Sequence, residues 1–236
     1  MKKFNEFPVW SISKWRDFET CPRMYHAKNV TKRWHDSPSD AMDRGKRIHK
    51  HMEDAIKYDI ELPQEIRHMT PLVEAFVALR SDGGAVYPEM KFGASIQYQK
   101  VEFFDGERLR VRFVLDLYVN HNNRTLVVDW KTGKRKPEHE EDAKFYAAFT
   151  HTCFGATDTS VQYHYVDNPV DSFNVGLEPG EAADLAAAWY KKFDYADKII
   201  AAENIPAIPC NAYKWCGAWE CPHNKNRKIQ EAMGVE

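Results

Sequence analysis

The chain has 236 residues, 43% of them hydrophobic and 13% aromatic, with a formal net charge of −2. That length suits one domain with a sizeable core, and the composition excludes a disordered chain. The near-neutral total excludes a uniformly basic nucleic-acid binder, so any phosphate recognition must come from local patches.

Two such patches exist. Residues 1–35 carry eight Lys and Arg against three acids, and KTGKRK at 131–136 holds four cations and no acid. Each pattern also suits a plain solvated surface. The opening MKKFNEFPVW lacks the apolar run of a secretory signal, and no stretch approaches 18 apolar residues. An intracellular, cytoplasmic protein without a membrane span is therefore expected, and in a reducing compartment clustered cysteines favour metal or redox roles over disulfides.

In chain order, residues 11–28 predict a helix carrying Trp15, Phe18 and Tyr25. Cys21-Pro22 should interrupt it, since the residue before a proline resists the α region. After a loop at 34–40, residues 41–58 predict a helix with Ile48, Met52, Ala55 and Ile56 on one face. Residues 70–81 predict another, with Leu72, Val73, Phe76 and Val77. Beyond Gly83-Gly84 the pattern changes to strands at 86–92, 95–104, 107–119 and 124–131. The turn signals between them are Gly93-Ala94, Asp105-Gly106 and His121-Asn122-Asn123. A helix at 138–153, strands at 159–166 and 171–177, and an alanine-rich helix at 181–203 opened by Pro179-Gly180 follow. From Ile205 the chain is irregular. This order predicts an α/β or α+β fold, a mixed β-sheet core flanked by helices.

The segment from Val111 to Lys134 carries the chemistry. If Asn122-Asn123 form a two-residue turn, the register sets Asp116 opposite Asp129. Opposed residues lie about 4.5–5.5 Å apart at Cβ, and like charges there destabilise a hairpin unless a cation joins them. Lys131 shares the face of Asp129. The neighbours Val114, Leu115, Leu117, Val127 and Val128 predict a strand buried on both sides. Two readings fit: a site for Mg²⁺ or Mn²⁺ with a lysine beside it, or an internal Asp–Lys ion pair.

Four cysteines lie at the two ends of the chain, Cys21 alone and Cys210, Cys216 and Cys221 together. If their sulfurs meet, the ends meet too. Four thiolates can hold a [4Fe–4S] cluster or a zinc ion. Cys153, late in an apolar helix, predicts a packed thiol.

The D-x-K of Asp129-Trp130-Lys131, the acid one strand earlier at Asp116, and G-x-x-x-H at Gly45–His49 resemble the PD-(D/E)XK nuclease superfamily. The enclosing cysteines and SISKWRDFETCPRMY are similar to its RecB-like, iron–sulfur branch, which includes CRISPR-adaptation, AddB-type and phage nucleases. The resemblance spans Ser11 to Cys221. It implies a restriction-endonuclease-like domain across 1–236, with a core at 41–203 and a cysteine-cluster region from 1–35 and 205–223.

For the site, the resemblance implies His49, Asp116, Asp129, the Trp130 carbonyl and, with less weight, Glu89 as metal ligands, and Lys131 as the catalytic lysine. It implies a [4Fe–4S] cluster on Cys21, Cys210, Cys216 and Cys221, with zinc as the alternative. Tyr146, Lys134 and Arg135 would contact DNA. The expected activity is metal-dependent hydrolysis of single-stranded DNA or DNA ends, as an exonuclease, alongside separate helicase, recombination or CRISPR partners. A non-catalytic DNA-end adaptor and a zinc-stabilised interaction protein are the other readings. The chain departs from the family pattern at Phe113, where relatives carry Gly, and at Asp142, where they carry Gln.

Overall fold

The structure, a computed structural model, describes residues 8–33, 39–156, 158–209 and 221–223. They divide into two compact units, one of residues 39–189 and the other of 8–33, 190–209 and 221–223.

The first unit is organised by a hairpin. Asn122 and Asn123 take left-handed angles (φ 50° and 61°), as a two-residue type I′ turn requires. They join β3 (Val111–His121) to β4 (Arg124–Lys131), pairing His121 with Arg124 and Leu117 with Val128, the register expected from the sequence. β1 (Ala85–Ala94) and the two-residue β2 (Lys100–Val101) extend the sheet on one side. β5 (Asp158–Tyr165) and β6 (Phe173–Leu177) extend it on the other. The order is β2-β1-β3-β4-β5-β6, antiparallel except for β4 and β5. That parallel pair needs a crossover, which α5 (Glu138–Phe154) supplies.

Helices cover both faces. α3 (Asp40–Tyr58) and α4 (Thr70–Ser81) bury Ile48, Met52, Ile56, Val73 and Phe76 against Leu117, Val119, Val128 and Trp130. On the other face Phe145 and Phe149 of α5 pack on Phe113, and Phe145 meets Trp189 of α6 (Pro179–Ile200). No helix among the described residues is long and apolar enough to cross a membrane.

β1 and β3 both change faces near their middles. Val86 joins the α3–α4 core, whereas Phe92 contacts Phe154 of α5. Leu117 joins that core, whereas Phe113 packs on α5. Each pair is an even number of residues apart, so an unbroken pleat would keep it on one face. The break falls between the ladder pairs Pro88–Leu117 and Met90–Leu115, where Glu89 stands opposite Asp116 and adopts φ 51°.

Four expectations are corrected here. Residues 95–104 form tight turns apart from Lys100–Val101, and β3 starts at Val111 rather than 107. Side chains capture the backbone there: Ser95 Oγ accepts from the N–H groups of Gln97 and Gln99, and Asp105 Oδ1 accepts from those of Glu107 and Arg108. Gly93 lies inside β1 and not in a turn; a Cβ on it would sit 2.1 Å from Leu109 Cδ1, so a larger residue would push the Leu109 side chain aside. Val114 is 41% exposed, so β3 is not buried on both sides throughout.

In the second unit, α1 (Ile12–Thr20) is capped by Ser11 Oγ, which accepts from the Lys14 N–H. It stops at the extended Cys21, and Pro22 begins α2 (Pro22–Tyr25), as expected for this dipeptide. Trp10 stacks on Tyr25 and Phe193 at 4.9 and 5.3 Å and donates its indole N–H to Asp197 at 3.0 Å. Cys21, Met24 and Cys221 form one small buried cluster flanked by Ala27 and Ala207. The guanidinium of Arg23 donates to the Ile205 carbonyl at 2.9 Å. Cys210 and Cys216 lie outside the described residues.

The turn gives a stability test. Asn123→Gly should leave stability unchanged or raise it slightly. Asn123→Val should cost about 1–2 kcal/mol, the strain of a left-handed β-branched residue, read by urea unfolding. Equal stability of the two variants would refute the turn's role.

Candidate active site

The β3–β4 ladder ends at Leu117–Val128, one pair short of Asp116 and Asp129. Beyond it, the Trp130 N–H donates to Asp116 Oδ2 at 2.8 Å, so a side chain satisfies a backbone donor that the ladder leaves over. In a strand a residue's N–H and C=O point to the same side, so the Trp130 carbonyl also faces β3. Asp116 Oδ1 lies 3.1 Å from His49 Nδ1.

His49 stands on α3, whose place in the unit is fixed by Ile48 and Met52 in the core and by Arg44. Both guanidinium ends of Arg44 bond Asp167, at 2.7 and 2.9 Å, just past β5. His49, Glu89 and Asp116 each offer a ligand atom, and these atoms lie within 4.8 Å of one another. The left-handed Glu89 therefore stands at this cluster, and strained backbone of this kind gathers at functional sites.

Charge is concentrated here. Burial, then Asp116 and Glu53, pushes the Glu89 carboxyl up. Burial pushes the Asp129 carboxyl up to about 6, with Asp116 adding to the rise and Lys131 opposing it. Burial alone would lower His49 and Lys131, but the neighbouring carboxylates outweigh it and hold both above their ordinary values. One nitrogen and several carboxylate oxygens gathered in this way fit a hard divalent cation such as Mg²⁺ or Mn²⁺.

Asp129 and Lys131 share the α5 face of β4. Lys131 Nζ lies 2.7 Å from Asp129 Oδ2, an ion pair without good hydrogen-bond angles, and that buried oxygen accepts no bond of standard geometry among the described residues. Asp129 is thus a neighbour of the His49–Glu89–Asp116 group rather than the ladder partner of Asp116 that the register suggests. Tyr146 of α5 stands close enough that burial, then Asp129, Asp116 and Asp142, pushes its phenol well up. Burial likewise pushes the Cys153 thiol up to about 12, as a packed thiol requires.

Lys134 and Arg135 are both exposed, but Arg135 is already engaged with Glu140 at 2.5 Å and the Phe173 ring at 4.4 Å. One residue near the site escaped sequence reasoning. Tyr163 is the parallel-ladder partner of Asp129, visible only once β4 and β5 are known to pair. Asp142, the position where the family pattern carries Gln, lies near Lys131. A cavity of about 450 Å³ between the end of α3 and α4, lined by Leu62, Val73 and Val77, holds none of the site's side chains.

No curated protein matches the chain by sequence. Among solved structures, SSO0001 is 14% identical over 92% of this chain and 87% of that one, with a TM-score of 0.46. The alkaline exonuclease LHK-Exo of Laribacter hongkongensis, in its complex with dAMP, is 15% identical over 81% and 92%, with a TM-score of 0.37. A protein from Eubacterium rectale is 10% identical over 90% and 94%, with a TM-score of 0.47. These likenesses are distant. The pattern of the PD-(D/E)XK nuclease superfamily, in contrast, matches residues 9–225, a span of nearly the whole chain within which every candidate residue of the site falls. The chain belongs to the PD-(D/E)XK nuclease superfamily.

Proposed function

We propose that this protein is a Mg²⁺- or Mn²⁺-dependent deoxyribonuclease that hydrolyses phosphodiester bonds as an exonuclease on single-stranded DNA or DNA ends. The observation that carries this reading is the convergence of His49, Glu89 and Asp116 within 4.8 Å, one strand from the Asp129–Lys131 pair. His49, Glu89, Asp116, Asp129 and the Trp130 carbonyl are the groups that would hold the cation. When bound, the cation supplies Lewis acidity toward a phosphoryl oxygen and neutralises charge.

The remaining work falls to the chain. Asp129 keeps Lys131 charged, and the ammonium stabilises negative charge developing at phosphorus and orients the attacking water. Asp116 holds β4 through the Trp130 N–H while facing His49. An intact set of acids with the lysine favours a working enzyme over an adaptor that only binds DNA ends.

A RecB-like assignment with a [4Fe–4S] cluster on Cys21, Cys210, Cys216 and Cys221, zinc being the alternative, is part of the proposal. Its support is the shared buried cluster of Cys21 and Cys221. The cluster would staple the two ends of the chain and take no part in cutting.

Asp129→Ala and Lys131→Ala should each reduce cleavage of end-labelled single-stranded DNA by 10³-fold or more (about 4 kcal/mol of transition-state stabilisation), with unchanged circular dichroism. Full activity in either variant would defeat the assignment. Divalent-cation affinity should weaken as pH falls through about 6, because the raised Asp129 carboxyl then takes up a proton that competes with the cation. Calorimetric titration with Mn²⁺ at pH 5.5 and 7.5 checks this, and equal affinities would contradict it. Anaerobic purification should yield a brown protein containing iron and sulfide, whereas a colourless protein with one equivalent of zinc selects the alternative.

A further inference from the structure

The ammonium of Lys131 has a second neighbour besides Asp129. It stands 4.9 Å from the centroid of the Tyr163 ring. Tyr163 is fully buried; its ring stacks on Phe173 at 5.1 Å and lies 5.7 Å from His139. Its hydroxyl has no hydrogen-bond partner among the described residues. Burying a hydroxyl without a partner opposes folding, so the polar tip does not explain the residue. The ring face does.

A lysine side chain has four rotatable carbon links and a compact charge, so a single carboxylate leaves its head free to swing. An aromatic face attracts the ammonium through the ring quadrupole without neutralising it. A second carboxylate in the same place would bind the ammonium more firmly and compete with phosphate. The same device recurs four residues on, where Arg135 lies over Phe173 at 4.4 Å. Tyr163 and Phe173 are ladder partners on β5 and β6, so one aromatic pair seats two cations of the 131–136 segment.

We propose that Tyr163 is a positioning residue whose ring face fixes the Lys131 ammonium beside the acid cluster, so that it governs the rate of cleavage and not the affinity for DNA. The proposal rests on the role given to Lys131 above.

Tyr163→Leu removes the ring, and Tyr163→Phe keeps it while deleting the unpartnered hydroxyl. With single-stranded DNA and Mn²⁺, Tyr163→Leu is expected to lower kcat about tenfold, the size of a partly desolvated cation–π contact, at unchanged KM. Tyr163→Phe is expected to recover most of that loss, with a Tm no lower than wild type. The Lys131 ε-methylene protons should be shifted upfield by the ring current in the wild type and in Tyr163→Phe. That measurement needs neither activity nor the leucine variant, and its failure in the wild type overturns the proposal.

Wild-type kcat in Tyr163→Leu, a change confined to KM, or an equal loss in Tyr163→Phe also overturns it. Full activity in Lys131→Ala would instead sink the nuclease assignment of that lysine, and this proposal with it. An inactive Lys131→Ala beside a fully active Tyr163→Leu would reject the role of Tyr163 alone.

Discussion

The carboxylate of Asp116 meets two demands at once. One oxygen takes the Trp130 N–H that lies just past the end of the β3–β4 ladder, and the other faces His49. A buried backbone donor must find a partner, and ordinarily the neighbouring strand provides it. Because a side chain does so here, β3 and β4 can stop pairing without stranding that group. The β3–β4 ladder opens at the point where the acids gather, beside Asp129 and Lys131.

The cost of the arrangement is electrostatic. Three carboxylates share a partly buried region with one lysine and one histidine, and burial first, with neighbouring carboxylates adding to it, raises the Glu89 and Asp129 carboxyls. Lys131 and His49 offset part of it, and a divalent cation would offset more. The site thus gathers more negative charge than its own lysine and histidine supply, which is the condition the proposed divalent cation would meet.

Much of this was legible in the chain. Helical spacing located α3 and α4, and Asn122-Asn123 set the hairpin register, so the neighbourhood of Asp116 and Asp129 could be read before any coordinates. The grouping of the acids could not be read from register, although the resemblance to the family already named Glu89 with His49 and Asp116. Register placed the two aspartates opposite each other, but the ladder ends one pair earlier. Glu89 groups with Asp116 and His49 within 4.8 Å, from a left-handed backbone in mid-strand that no periodicity rule anticipates. The turns of 95–110 carry apolar residues in a strand-like pattern, and Ser95 and Asp105 redirect the backbone locally. Tyr163 needed the parallel β4–β5 pairing, a contact between segments separated by a whole helix.

Glu89 places two selective forces on a single residue. Its backbone angle is one that glycine adopts freely and an acid adopts only under strain, while its side chain belongs to the ligand cluster. Selection for folding alone would drift this position toward glycine. The cation-binding role proposed for its carboxylate would hold the acid. Position 89 is therefore where stability and function trade against each other within one residue, and where a more robust but less active form of this nuclease would first be found.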